Sequence, residues 1–222
     1  MKLQCLSYLL FISTVSTTQV FGQDKWRQDY YEVLNDESFR KFPLFSQYLD
    51  VKQIDYPLLH AAIFFVSNEA RLEQGLNTVQ YQHSLEIMAY NHSMCMAKDD
   101  FFDHVHPNDK KRKTPNDRAA LAGIKNPNIG ENIHAVGGRQ FGTYIDLADH
   151  IVQSWIDSPP HRATLYDVNA VELGCGIYFF DGNWQDYKDV YQQGNGFWIA
   201  TQNFQMFTNV KSGTSKDKGP NK

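Results

Sequence analysis

Hydrophobic and polar positions alternate along the first half of the chain with the period of an α-helix. Beyond residue 57 the apolar side chains recur every three or four positions, which predicts a helix with one buried face. Asp55 is suited to cap this helix, Pro57 to its first turn and Gly75 to its end. The same spacing predicts three further helices, through residues 85–96, 115–121 and 143–157.

The second half of the chain has the composition of β-strands. Residues 171–180 and 197–207 are rich in β-branched and aromatic side chains, so we predict that they form a long hairpin. Trp184, Tyr187 and Tyr191 lie in the connection and are expected to pack against the sheet edge, with an aromatic platform for a ligand as the alternative. Helices followed by strands indicate an α+β domain built in layers.

The two ends of the chain differ from its middle. Residues 1–22 combine a positive start, a short apolar run and small residues, a pattern more typical of a secretory signal peptide than of a retained membrane anchor. We interpret residues 23–56, which are aromatic and charged without a clear period, as an N-terminal extension packed on a main domain of residues 57–208. Residues 209–222 are polar and predicted to be a disordered tail. We therefore expect a secreted or periplasmic protein with no integral membrane span after signal removal.

Charge and cysteine content narrow the classes of function. The formal net charge is −4, which argues against attraction of the whole protein to nucleic acid or to an anionic membrane. Residues 110–113 form one basic run, interpreted as a solvated loop, with an anion-binding loop as the alternative. Cys95 and Cys175 are expected to be buried free thiols, although an exported protein could also join them in a disulfide.

Three short segments combine titratable side chains with turn-forming residues, and they contain His104, Glu131 and His161. If the fold brings these three together, two imidazoles and one carboxylate would suit zinc or a similar divalent ion, with a fourth position open to water. Such a metal-bound water could act as a nucleophile in hydrolysis. The segments are FFDHVHP at 101–107, GENIH at 130–134 and SPPHR at 158–162.

Local alternatives for this chemistry stay open. The three residues are far apart in sequence and match no local metal signature, whereas His104 with His106, or Glu131 with His134, are neighbouring pairs. The stretch around Glu131 by itself indicates only a polar turn, because it is too rich in glycine and polar residues for a helix interior.

Two further polar residues have structural explanations. Ser158 lies close to His161, but it is better suited to cap a helix that begins at Pro159 than to act as a nucleophile. His92 shares the buried face of the second predicted helix, so we expect a hydrogen-bonded core histidine rather than a ligand.

Several motifs occur in a recognisable order. Asn68 and Arg71 lie on the first helix, and Arg118 and Gly123 lie on and after the third. The longer motifs are MAKDDFFDH, IGENI, VQSWIDSPPHRATL, ELGCGIYF and TQNF. In this order they resemble a domain of the CAP superfamily, the SCP-like extracellular proteins, and its bacterial branch in particular, over roughly residues 57–207.

The resemblance implies a three-layer α-β-α sandwich with a central antiparallel sheet and a large groove. In the family, two histidines and acidic residues line this groove and can hold a divalent metal, and the matching positions here are His104, Glu131 and His161. A fourth family position, a glutamate, falls at Ser158 in this chain. Asn132, beside Glu131, is also expected to line the groove.

These expectations give two main hypotheses of function. The first is a secreted CAP-domain binding protein whose groove, with or without a metal such as zinc, takes a lipid-like, glycan or protein ligand. The alternative is a divalent-metal-dependent hydrolase that acts on peptides or cell-wall material. A third possibility is an envelope protein whose N-terminal extension makes the contacts. None of the three implies a nucleic-acid partner.

Overall fold

The computed structural model describes residues 25–182, 184–185 and 196–207. The predicted signal peptide and tail, together with Tyr187 and Tyr191, lie outside these residues. The helices are α1 (Tyr30–Val33), α2 (Tyr56–Glu73), α3 (His83–Lys98), α4 (Pro115–Leu121), α5 (Tyr144–Asp157) and α6 (Pro159–Leu165). The strands are β1 (Gln80–Tyr81), β2 (Ile129–Gly137), β3 (Glu172–Phe180) and β4 (Phe197–Gln205).

Local sequence signals determine where the helices begin and end. The Asp55 carboxylate accepts a hydrogen bond from the first turn of α2, and the chain leaves this helix through Gly75 at a φ of +72°, where a side chain would be strained. Thr114 and Thr143 each exchange hydrogen bonds with an aspartate three residues later, which caps α4 and α5. All four predicted helices are therefore confirmed.

The sheet has the strand order β1-β3-β4-β2. Strands β3 and β4 form the predicted antiparallel hairpin, and β2 pairs antiparallel with the other side of β4. The two residues of β1 pair parallel with β3, so the sheet is mixed rather than wholly antiparallel. Strand β4 is buried along its whole length, whereas β2 forms an edge of the sheet.

Helices cover both faces of the sheet, which confirms the layered α+β architecture. On one face, α2, α5 and α6 enclose the larger hydrophobic core with Leu173, Ile177 and Phe204 of the sheet. On the other face, α3 lies so close to β3 that a Cβ on Gly174 or Gly176 would fall onto the helix backbone. The two glycines thus allow helix and sheet to approach closely.

The N-terminal extension is part of the same hydrophobic core. Phe39, Phe45 and Leu49 are buried against α2 and α5. Arg40 forms ion pairs with Glu69 of α2 and Asp149 of α5, which connect the extension to both helices on the surface. The extension therefore packs as an integral layer on α2 and α5.

Three local expectations have clear outcomes. Residues 129–137 are a strand and not a polar turn. Pairing with β4 provides hydrogen-bond partners for the backbone N–H and C=O groups of alternate residues. Trp184 is buried and donates a hydrogen bond to the Ala97 carbonyl, 3.0 Å away, so it packs rather than offering a free platform. Cys95 and Cys175 are both free and buried, as expected.

Candidate ligand-binding site

Glu131 is the centre of a buried polar cluster at the edge strand β2. One carboxylate oxygen, Oε1, accepts a hydrogen bond from Nδ1 of His104 at 2.9 Å. The other oxygen, Oε2, accepts one from Nη2 of Arg118 at 2.7 Å. The side chain of Glu131 is only 2% exposed, whereas that of His104 is 45% exposed. The cluster therefore joins a buried ion pair to a histidine that reaches solvent.

The chain segment that carries His104 is fixed by contacts to its backbone. Phe101 is buried in the core below this segment, and the Asp103 carbonyl accepts a hydrogen bond from Nε2 of His92 at 3.1 Å. Nη1 of Arg118 also donates to the His104 carbonyl at 3.0 Å. His92 is thus the hydrogen-bonded core histidine that its helical face predicts, and it also lies 3.8 Å from Oε1 of Glu131.

The charges in this cluster shift the pKa values in opposite directions. Burial alone would raise the pKa of Glu131, but the hydrogen bond from His104, together with the charge and hydrogen bond of Arg118, outweighs it and lowers the pKa. The hydrogen bond to Glu131 raises the pKa of His104 against the opposing effect of burial. Burial lowers the pKa of His92 to about 4. Glu131 is therefore held ionised, and His92 is held neutral.

His161 approaches β2 from the opposite face of the sheet. Glu131 and Ile133 face α3, whereas the alternate residue Asn132 faces α6. Nδ2 of Asn132 donates to the His161 carbonyl at 3.0 Å and so ties α6 to the edge strand. Burial lowers the pKa of His161, and the charge of His104 lowers it further.

Ser158 is placed between α5 and α6, at the N-cap position of α6. Ser158 occupies the expected capping position, but its hydroxyl makes no capping hydrogen bond. Two prolines follow at the start of the helix and fix the turn without a side-chain bond.

A second group of side chains that could bind a metal lies outside the cluster around Glu131. Within the described ranges, the donor atoms of Cys95, Asp99 and His106 all lie within 4.8 Å of one another, and those of the predicted metal set do not converge in this way. Hydrogen bonds already account for the cluster. Nδ1 of His106 accepts two backbone N–H bonds, which leaves the proton on Nε2 pointing at Asp99, 3.2 Å away. Nη1 of Arg112 donates to Sγ of Cys95 at 3.3 Å.

The fold places two further residues beside the site. The sequence offered His134 as a local partner of Glu131, but the two side chains lie on opposite faces of β2. Arg118 pairs with Glu131 across thirteen residues, and no local pattern marks such a pair. His134 follows Asn132 on the α5 and α6 face of β2, and burial together with the charges of His150 and His161 lowers its pKa to about 4. Period-two alternation along β2 is the signal that could have placed His134 on this face.

Comparison with known proteins places this chain within a family. The model of the cysteine-rich secretory protein family, CAP, matches residues 65–204. An extracellular protein containing an SCP domain from Bacillus anthracis has a similar fold, with a TM-score of 0.51 and 23% identity over 68% of this chain and 41% of that chain. No helix of the described residues has the length and apolar character needed to cross a membrane.

Two proteins of Bacillus subtilis are similar in sequence. The uncharacterized membrane protein YlbC is 27% identical over 115 residues, which are 52% of this chain and 30% of YlbC. The uncharacterized protein YkwD is 29% identical over 111 residues, 50% of this chain and 39% of YkwD. The matched segments thus span less than half the length of either relative. Since the family model matches more than half of the chain, the protein belongs to the CAP family of cysteine-rich secretory proteins.

Proposed function

We propose that this CAP protein is an exported binding protein that holds its ligand at the edge of β2. The ligand site, which we call the β2 groove, is lined by His104, Glu131, Asn132, Ser158 and His161. The hydrogen bond between His104 and Glu131 carries the proposal, because it orients a solvent-reaching imidazole with a buried carboxylate. The apolar and charged pattern of residues 1–22 supports export.

Glu131 acts as a positioning residue in this account. Both of its carboxylate oxygens are engaged, one by His104 and one by Arg118. The bond to Nδ1 of His104 fixes the proton on that nitrogen when the ring is neutral, so the lone pair of Nε2 is available to a ligand. Carboxylate–histidine pairs of this kind commonly orient histidines that bind metals.

The donor set partly fits a divalent ion such as zinc. His104 offers Nε2, and His161 offers a second imidazole whose lowered pKa keeps it neutral and able to coordinate. Glu131 would support the ion from behind His104 rather than bind it, because its oxygens already have partners. A bound ion would supply a positive centre for a carboxylate or carbonyl oxygen of the ligand.

Zinc titration of the mature protein by calorimetry tests the proposal. His104→Ala and His161→Ala should each abolish binding, and Glu131→Gln should weaken it by about ten- to a hundredfold. The exposed His83→Ala is the matched control and should bind zinc like the unchanged protein. If Cys95→Ser or His106→Ala abolishes binding and His161→Ala does not, the ion binds at the other cluster and the proposal fails.

Metal-dependent hydrolysis of peptides or cell-wall material is the second candidate. The imidazole of His104 favours it, since this group reaches solvent and histidine is the commonest general acid or base in catalysis. The lowered pKa of Glu131 makes this carboxylate a weak base, so binding agrees better with the geometry. Turnover of a peptide or muropeptide by the zinc-loaded protein that is lost in His104→Ala would reverse this preference.

A further inference from the structure

We propose that the ligand of the β2 groove is an extended polypeptide segment that adds to the free edge of β2 as a further strand. The inference rests on the proposed function, because it names the class of ligand for the same groove. It is carried by the direction of the backbone groups along β2 and by the absence of partners for them within the described part of the chain.

The direction of these groups follows from the pairing with β4. Gly138 donates its N–H to the Gly196 carbonyl at 3.0 Å, and Met206 donates to the Asn128 carbonyl at 3.1 Å. In an antiparallel pair, alternate residues bond to the partner strand, so the even-numbered positions between 128 and 138 face β4. The odd-numbered positions direct their N–H and C=O groups away from the sheet.

One contact confirms this direction independently. The N–H of Ile129, the first odd-numbered position, donates to Oδ1 of Asn116 on α4 at 3.0 Å. The next odd-numbered positions are Glu131, Ile133, Ala135 and Gly137, and no hydrogen bond to their backbone groups occurs among the residues that the structure describes outside the ladder with β4. The edge is thus satisfied at its start and open beyond it.

Exposure varies along this open edge. Gly137 is exposed and Ala135 is half-buried, whereas Ile133 is buried, at 6% exposure. A buried backbone N–H or C=O group without a hydrogen bond costs free energy. Binding of a partner that supplied donors and acceptors to these groups would therefore be favourable. A ligand could first contact the edge at Ala135 and Gly137, where the strand is accessible to solvent.

A polypeptide strand has the chemistry that this edge requires. Its N–H and C=O groups toward one side repeat every second residue, about 7 Å apart, which is the spacing of the odd-numbered positions of β2. A lipid chain has no such groups, and glycan hydroxyls do not repeat at this spacing. Addition of a strand to an open edge is a recurring mode of peptide recognition.

The flanking side chains would meet alternate residues of the added strand. His104 and the Glu131–Arg118 pair lie on the α3 face of the edge, and His161 and His134 lie on the other face. Main-chain pairing would therefore give affinity, and the histidines on both faces would select among side chains. A metal at the two histidines would add a contact for a carbonyl or carboxylate of the same peptide.

The test uses a phage-displayed library of linear decapeptides, selected on the immobilised mature protein. The best binder is then made in two forms, each N-methylated at alternate residues but in opposite phase. One form should bind at least tenfold more weakly, because it loses the N–H groups that face β2. The other form should change by less than about threefold, because its methyl groups face solvent.

A pair of protein variants provides the second arm. Ala135→Pro removes one outward N–H and leaves the bonds to β4 intact, and proline is tolerated on an edge strand at such a position. Ala135→Ser keeps the N–H and is the matched control. With thermal unfolding showing both folded, Ala135→Pro should weaken the decapeptide at least fivefold and Ala135→Ser less than twofold.

Three results would overturn the inference: equal loss in both N-methylated forms, no decapeptide selected, or a protein dimer that Ala135→Pro converts to monomers. In the last case a second copy would occupy the edge. Zinc titration separates these failures from failure of the proposed function. If zinc binds through His104 and His161 but the two N-methylated peptides do not differ in affinity, only this inference falls. If in-phase peptide binding persists without zinc binding, the metal part of the proposed function falls.

Discussion

Arg118 and Glu131 form a buried ion pair of 2.7 Å in which the exposed fractions of the side chains are only 5% and 2%. The pair joins α4 to β2 and sets the position of His104, to which both residues also bond. The same contact thus contributes to the stability of the fold and to the orientation of His104. Its removal should affect both.

The first prediction concerns this ion pair. Arg118→Met leaves the Glu131 carboxylate buried without its cation and should reduce the free energy of unfolding by about 3 to 5 kcal/mol in urea denaturation. Arg139→Gln, which breaks an ion pair with Asp181 that lies largely in solvent, is the control and should cost less than about 1 kcal/mol. Similar losses in the free energy of unfolding of the two variants would show that the buried ion pair contributes no more to stability than the exposed one.

The second prediction concerns the close contact between α3 and β3. A Cβ on Gly176 would meet the backbone of Ala89 and Tyr90, which cannot move aside as a flexible side chain could. Gly176→Ala should therefore destabilise the protein by about 3 kcal/mol or prevent folding. At Gly137 a Cβ would meet nothing within 4 Å, so Gly137→Ala should change stability by less than about 0.5 kcal/mol. Equal thermal melting of the two variants would contradict the helix–sheet contact.

The third prediction concerns acid stability. Burial lowers the pKa of His92 and of His134 from the ordinary value of 6.5 to about 4. The unfolded chain therefore takes up these protons first, and stability should fall as the pH drops from 6.5 toward 4, by on the order of 3 kcal/mol for each histidine. The raised pKa of His104 acts in the opposite sense, since its contribution is complete below pH 6.5 and is lost as the pH rises through the raised value.

Denaturant unfolding between pH 4 and 8 in the presence of a chelator measures this dependence. His134→Gln should flatten the acid limb and leave a slope due to His92. An acid limb of the same depth in the variant would show that His134 does not titrate as its burial implies.

The fourth prediction concerns the N-terminal extension. Because Phe39 and Phe45 are buried in the main core, removal of residues 25–55 should yield an unfolded or aggregated chain rather than a folded domain that has lost a partner. Arg40→Ala breaks surface ion pairs to Glu69 and Asp149 and a contact with the ring of Phe39, and it should cost about 1 kcal/mol. A truncated protein with an unchanged melting temperature would show that the extension is a separate interaction segment.

The sequence predicted the parts of this fold that depend on local signals. Helices α2 and α5 carry both a cap and an apolar face, and the hairpin strands are rich in β-branched and aromatic side chains, so each could be recognised alone. Strand β2 could not, because Glu131, Asn132 and His134 place polar groups on both of its faces. Glu131 and the Nδ2 group of Asn132 bond to residues distant in sequence, Arg118 and His161, and only the fold brings these partners together.

In the proposed site, Glu131 orients His104 so that Nε2 can bind a divalent ion together with His161. The most direct measurement is a zinc titration of protein with ¹⁵N-labelled histidine, followed by NMR of the ring nitrogens. Nε2 of His104 and one nitrogen of His161 should shift together, Nδ1 of His104 should keep its proton, and Glu131→Gln should weaken the response. If the ring nitrogens of His106 shift instead, or if neither groove histidine responds, the account is wrong.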